Sequence, residues 1–133
     1  MSFSVSVYAV RGIIIDTAFP DVRRDLSAWI DANKPQGAIV THYHEDHAGN
    51  VELLATRGVP MWIAPATLAK VRAPEPILAY RRWCWGSQPP LKSAVIPFAH
   101  PSLELIHTPD ERIAVADVEI GRASCRERVY ACV

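Results

Sequence analysis

The chain has 133 residues, which fits one domain and leaves little room for a second. Half of it is hydrophobic, enough for a packed core and too much for global disorder. Lys plus Arg and Asp plus Glu both number 14, so the formal charge is zero, which argues against a nucleic-acid or membrane partner held by bulk electrostatics. No apolar stretch approaches a membrane span, and the N-terminus lacks the basic and apolar regions of a secretory signal. Cys84, Cys125 and Cys132 are scattered and form no CxxC pair, so a reducing, cytoplasmic setting is expected.

In chain order, residues 3–10 and 12–16 are two short β-branched runs separated by a tight turn at Arg11-Gly12. From Asp21, the apolar residues Val22, Leu26, Trp29 and Ile30 fall at i, i+4, i+7 and i+8, one face of a helix ended by Asn33 and Pro35. Residues 37–41 form a short apolar strand suited to burial on both faces. Asn50 is expected to cap a helix through Val51, Leu53 and Leu54 that stops at Gly58. Residues 60–64 are again strand-like, and residues 65–71 predict a helix with proline in its first turn. Residues 73–90 are rich in proline and aromatics and predict helix plus loop. Residues 95–98, 103–108 and 112–118 predict three later strands. The resulting order, β-β-α-β-α-β-α-β-β-β, is that of an α/β layered domain.

The chemistry concentrates in Thr41-His42-Tyr43-His44-Glu45-Asp46-His47-Ala48-Gly49-Asn50, where three of five histidines fall within six residues, directly after a buried strand. In an extended segment, positions i and i+2 project to one side, so His42 and His44 can share a metal ion. The loop then turns, so that Asp46 and His47 can address a second ion beside the first. Imidazole nitrogen with carboxylate oxygen suits Zn²⁺, with Fe or Mn as alternatives. Gly49 is expected to free the chain to turn away. A solvated His-rich loop is the plainer reading, but three histidines and an aspartate at this spacing favour the metal site. The zinc-protease pattern HExxH is not met, and neither a Gly-rich phosphate loop nor a GxSxG elbow is present. Arg81-Arg82-Trp83-Cys84-Trp85 combines cations with aromatics; helix packing or a substrate groove is favoured there over nucleic-acid stacking. Cys84 is expected to be a buried small hydrophobe, and His100 a solvated loop residue.

HxHxDH after an apolar strand, followed by Gly49-Asn50, resembles the metallo-β-lactamase superfamily of αββα hydrolases. Ile13-Ile14-Ile15-Asp16-Thr17 resembles that family's DTG element, with Ala18 in place of the glycine. Leu103-Glu104-Leu105-Ile106-His107-Thr108-Pro109 resembles the strand leading into its next metal-binding loop, so the likeness covers about residues 5–118. The resemblance implies that His42 and His44 hold a first zinc, and Asp46 and His47 a second. It further implies metal-bound hydroxide attacking an ester, thioester, lactone or amide of a small molecule, with Asp46 as the catalytic carboxylate that orients the nucleophile. Members usually continue as HTPGHS or HTPGHT, whereas here Pro109 runs straight into Asp110-Glu111-Arg112. His107 matches the family's strand-end histidine and receives no metal role.

Four ligands of an expected seven are therefore present, and residues 1–118 are expected to form the first half of an αββα sandwich. Such a half leaves an apolar sheet face uncovered, which predicts self-association or marginal folding. Residues 119–133 show no apolar period and resemble an in-frame sequencing-adapter translation, a foreign or disordered tail. The expected function is a zinc-dependent hydrolase impaired in this chain; the alternative is a non-catalytic metal-binding fragment.

Overall fold

Three consecutive isoleucines begin the central sheet, because a β-branched run packs well on a pleated surface. The computed structural model describes residues 5–99 and, beyond them, the backbone of three short strands. The chain divides into two units, Met1–Phe98 and Ala99–Val133.

In the first unit, β1 (Tyr8–Val10), β2 (Ile13–Ile15), β3 (Gly37–Val40) and β4 (Met61–Ile63) form a four-stranded sheet in the order β1-β2-β3-β4. β1 pairs antiparallel with β2 through the turn at Arg11-Gly12. β2–β3 and β3–β4 are parallel, with Ile15 opposite Ile39 and Val40 opposite Ile63. Parallel neighbours require crossovers. The first is a 3₁₀ turn (Pro20–Val22) and α1 (Arg23–Asn33), which ends where Lys34 turns left-handed before Pro35. The second runs through α2 (Glu45–Ala48) and α3 (Val51–Thr56). α4 (Pro65–Arg72) and α5 (Ala79–Trp85) follow β4.

Alternation along the strands divides the sheet into two faces. Ile14, Ala38 and Val40 join Leu26 and Ile30 of α1, Val51 and Leu54 of α3, and Met61, Val71 and Leu91 in one core. Each fully buried aliphatic side chain there contributes about 1.5–3 kcal/mol relative to exposure. Ile13, Ile15 and Ile39 occupy the other face and are buried as well. Among the described residues, the large exposed apolar side chains are Tyr43, Leu78, Tyr80, Trp83 and Ile96, none of them on the four-stranded sheet.

The two apolar strands differ in depth. All four residues of β3 are buried, as expected for a central parallel strand, but in β4 only Met61 is buried, because β4 lies at the sheet edge. The strand expected at residues 95–98 reduces to an isolated parallel bridge between Met61 and Pro97. Met61 N donates to Ile96 O and Phe98 N donates to Met61 O, and the pairing goes no further among the described residues. Cys84 is only partly buried, because its short helix α5 has no fully buried residue.

In the second unit, β5 (Leu105–His107), β6 (Ile113–Val115) and β7 (Val118–Ile120) form an antiparallel sheet in chain order. The single strand expected over residues 112–118 is thus two strands, and β7 runs across the 118/119 boundary. His100, the segment after Thr108 that carries Asp110, and residues 121–133 lie outside the described residues.

Glu52 ties α3 to the segment after α5: its carboxylate accepts from Lys92 N at 2.9 Å, Ser93 N at 3.1 Å and Ser93 Oγ at 2.8 Å. Desolvation alone would raise its pKa, but these hydrogen bonds, led by the Ser93 hydroxyl, together with the charge of Arg23 hold it below the ordinary 4.5. A carboxylate lowered on folding stabilises the fold above its unfolded pKa, and that contribution is lost as pH falls through the lowered value. Glu52→Gln is therefore expected to destabilise at pH 7 and to narrow its deficit below about pH 4.5. Urea midpoints at neutral and acidic pH measure this; a deficit unchanged with pH would contradict it.

Candidate metal centre

The metal-loop residues leave the sheet where β3 ends. Thr41 to Tyr43 run outward, and His44 takes an extended conformation just before the single turn of α2. His47 N and Ala48 N both donate to His44 O, at 2.9 and 2.7 Å, folding the chain back on itself. The turn brings the three imidazoles together: the His42 ring lies 4.8 Å from that of His44 and 4.1 Å from that of His47, centroid to centroid. Asp46 Oδ2 sits 3.4 Å from His47 Nε2. The four residues expected as ligands are thus neighbours, with His47 packed closer on His42 than His44 is.

A fifth residue organises them. Asp16 follows β2, and the parallel pairing of β2 with β3 carries it to the mouth of the metal loop. Its Oδ1 accepts from Thr41 N at 2.8 Å, both its oxygens lie within 2.9 Å of Thr41 Oγ1, and Oδ2 is 2.7 Å from His47 Nδ1. Asp16 and Ala18 both have positive φ, +62° and +57°. That conformation is tolerated by aspartate and costly for alanine. Thr17 and Asn50 complete the stitching: Thr17 N and Oγ1 both donate to His47 O, and Asn50 N donates to Thr17 Oγ1. Asn50 occupies the expected cap position of α3, but its side chain does not cap; Nδ2 donates instead to the carbonyls of Thr17 and Phe19. Gly49 likewise has an ordinary right-handed conformation, so freedom to turn is not its role. A Cβ there would fall 2.4 Å from Glu45 O and 2.6 Å from Ala18 O, so glycine is required by close approach.

These hydrogen bonds set the imidazole tautomers. Thr41 Oγ1 has one proton, which goes to the Asp16 carboxylate, so the His42 Nδ1 that lies 3.1 Å from it must be the donor. His47 donates from Nδ1 directly to Asp16. His42 therefore presents Nε2 as its free lone pair, and His47 turns Nε2 towards Asp46; a carboxylate behind a histidine is the arrangement that prepares such a ring for a metal. Burial, and then the neighbouring His47, lowers the His42 pKa from 6.5 to about 4, so this imidazole is neutral at physiological pH. At His47 burial opposes the charge, but the hydrogen bond and charge of Asp16 outweigh it and raise the pKa.

Four buried side-chain atoms in and beside the loop lack a hydrogen-bond partner, and two of them, unlike Glu45 Oε1 and Asn50 Oδ1, belong to expected ligands. His42 Nε2 and Asp46 Oδ1 are buried without a hydrogen-bond partner, a costly state for polar atoms. Even so, among the described residues no three His, Cys, Asp or Glu side chains already converge as a group that could hold a metal ion. The residues are gathered and oriented, and the cage is not closed.

A cleft of about 380 Å³ opens beside the loop, lined by Tyr43, His44 and Glu45 and by residues between Lys70 and Gln88. Glu45 is 3% exposed and forms an ion pair with Arg81 Nε of α5 at 2.7 Å. This buried pair fastens α5 to the metal loop. The contacts of Asp16, Thr41 and Arg81 were not assigned from the sequence; the available signal was a carboxylate placed directly after three isoleucines.

The metallo-beta-lactamase superfamily matches residues 3–113. No curated protein matches the chain. Among solved structures, a metallo-beta-lactamase with a HARLDQ motif from Cronobacter sakazakii is similar at TM-score 0.50 and 15% identity, over 84% of this chain and 48% of its own. BJP-1, a subclass B3 metallo-beta-lactamase of Bradyrhizobium japonicum, gives TM-score 0.46 and 16% identity, over 85% and 42%. The chain thus spans less than half the length of either structure. The motif-bearing loop lies within the matched segment, and the chain belongs to the metallo-beta-lactamase superfamily.

Proposed function

We propose that the chain supplies the His42, His44, Asp46 and His47 ligands of a zinc-dependent hydrolase acting on a small-molecule ester, thioester, lactone or amide. Members of the superfamily generally bind metal ions and act on small molecules. The observation that carries the reading is the buried, unpartnered His42 Nε2 beside His47 and Asp46. A zinc ion held there would supply Lewis-acid activation of water. The chain's own part is to orient and to hold protons. Asp16 fixes His47 directly and His42 through Thr41, so both rings keep their Nδ1 protons and present Nε2. Asp46 Oδ1, buried and unpaired, is placed to accept a hydrogen bond from a water molecule entering the loop.

The proposal includes weak turnover by this chain, because Pro109 runs into Asp110-Glu111-Arg112 and the Gly-His of the resembled HTPGHS pattern does not follow it. It also includes a reducing, cytoplasmic setting, in keeping with the free thiol of Cys84. No helix among the described residues is long and apolar enough to cross a membrane. Calorimetric zinc titration is the test. The wild type is expected to bind zinc and His42→Ala to lose that binding, since the first ion is left too few donors. Folded wild type that binds none, or His42→Ala that binds equally, would overturn the ligand assignment. Rapid zinc-dependent hydrolysis abolished by Asp46→Ala would overturn the weak-turnover part alone.

A further inference from the structure

The cleft beside His44 has a charge ledger that does not close. Glu45 and Arg81 neutralise each other in their buried pair. Lys70 and Glu75, also in the lining, form an ion pair, with Lys70 Nζ 5.6 Å over the Tyr43 ring. Arg82, the remaining charged residue of the lining, is exposed, and its guanidinium has no ion-pair partner among the described residues. The cleft therefore carries one uncompensated positive charge. Next to it the wall is apolar: Ile77 and Leu78 line the same space, and Leu78 is 64% exposed. Tyr43 and His44 belong to the same lining, so an occupant of the cleft can lie against one of the loop's imidazoles.

We propose that this cleft recognises the substrate, and that Arg82 is the specificity residue that binds a carboxylate on it. The substrate class is then a monoanionic, amphipathic acyl compound: one carboxylate on Arg82, an apolar body against Ile77 and Leu78, and the hydrolysable carbonyl towards His44. Arginine suits the task because its planar fork pairs with a carboxylate through two parallel N–H bonds. A dianion would exceed the single free charge, and a neutral ligand would leave it unused. The buried Glu45–Arg81 pair holds α5, and with it Arg82, against the metal loop.

The hydrolytic part of this inference rests on the zinc-hydrolase reading, but recognition does not, so the test uses the full chain freed of metal by a chelator. The probes are 4-phenylbutyrate and its neutral isostere 4-phenylbutanamide, titrated by ligand-observed NMR. The acid is expected to bind about fivefold more tightly than the amide, the upper range for an exposed ion pair. Arg82→Gln should abolish that preference while leaving amide binding and thermal melting unchanged. Arg82→Lys should retain a reduced preference, since the charge persists without the fork. Equal binding of acid and amide, a preference that survives in Arg82→Gln, or no binding of either probe would overturn the proposal. None of these results bears on zinc binding, and loss of zinc binding in His42→Ala does not bear on them.

Discussion

Asp16→Ala is expected to cost about 3–5 kcal/mol of stability, the range seen when one partner of a buried charged network is removed. The variant strands Thr41 N, Thr41 Oγ1 and His47 Nδ1, each a donor that the carboxylate now satisfies. It also puts alanine at φ +62°, a conformation that aspartate tolerates better. Against a typical total of about 5–15 kcal/mol, such a loss brings the protein close to unfolding. Asp16→Asn separates stability from metal preparation. The amide oxygen can still accept from Thr41, while the amide nitrogen meets the His47 Nδ1 proton donor to donor. The asparagine variant should remain folded and bind zinc about 10–100-fold more weakly, the usual effect of losing the carboxylate behind a metal-bound histidine. Denaturant unfolding and competitive zinc titration read the two effects. Wild-type zinc affinity in Asp16→Asn would show that Asp16 serves the fold alone.

Gly49→Ala should destabilise by about 1–3 kcal/mol, in the range of an overpacked core. In most positions with right-handed dihedrals, the same change stabilises slightly by restricting the unfolded chain. Here the new methyl group would lie 2.4 Å from Glu45 O, 2.6 Å from Ala18 O and 2.6 Å from Pro20 Cδ. Two of these are backbone atoms that cannot rotate away, and Ala18 is only two residues from Asp16. Relief of the clash must therefore disturb the segment that orients His47, so zinc affinity should fall together with the denaturant midpoint. A variant as stable as wild type would show that the loop relaxes freely, and that glycine there answers no close contact.

Much of this was legible in the sequence wherever one short-range rule governed the outcome. The helical spacing of Leu26, Trp29 and Ile30 locates α1, and the apolar run after Gly37 locates the buried β3. The His42-to-His47 spacing locates the candidate centre, because a strand end and a single helical turn suffice to bring those side chains together. What escaped depends on residues distant in the chain. Asp16 reaches His47 across 31 positions, through a parallel strand pairing that no local pattern encodes. Arg81 reaches Glu45 through the packing of a short helix with no buried residue of its own. Gly49 and the segment 95–98 differ from expectation for a related reason. Glycine freedom and a strand at 95–98 are expectations from local composition, whereas the outcome depends on two neighbouring backbone carbonyls and on a single bridge to the edge strand β4.

The claim that His42, His44, Asp46 and His47 form a metal centre is tested most directly by X-ray absorption at the zinc edge on the zinc-loaded protein. The predicted spectrum has nitrogen and oxygen donors at about 2.0–2.1 Å with the outer-shell scattering of at least two imidazoles, and His42→Ala loses it. A sulfur shell at about 2.3 Å would place the ion on a cysteine instead, and a spectrum without imidazole scattering would remove the metal loop from the site altogether.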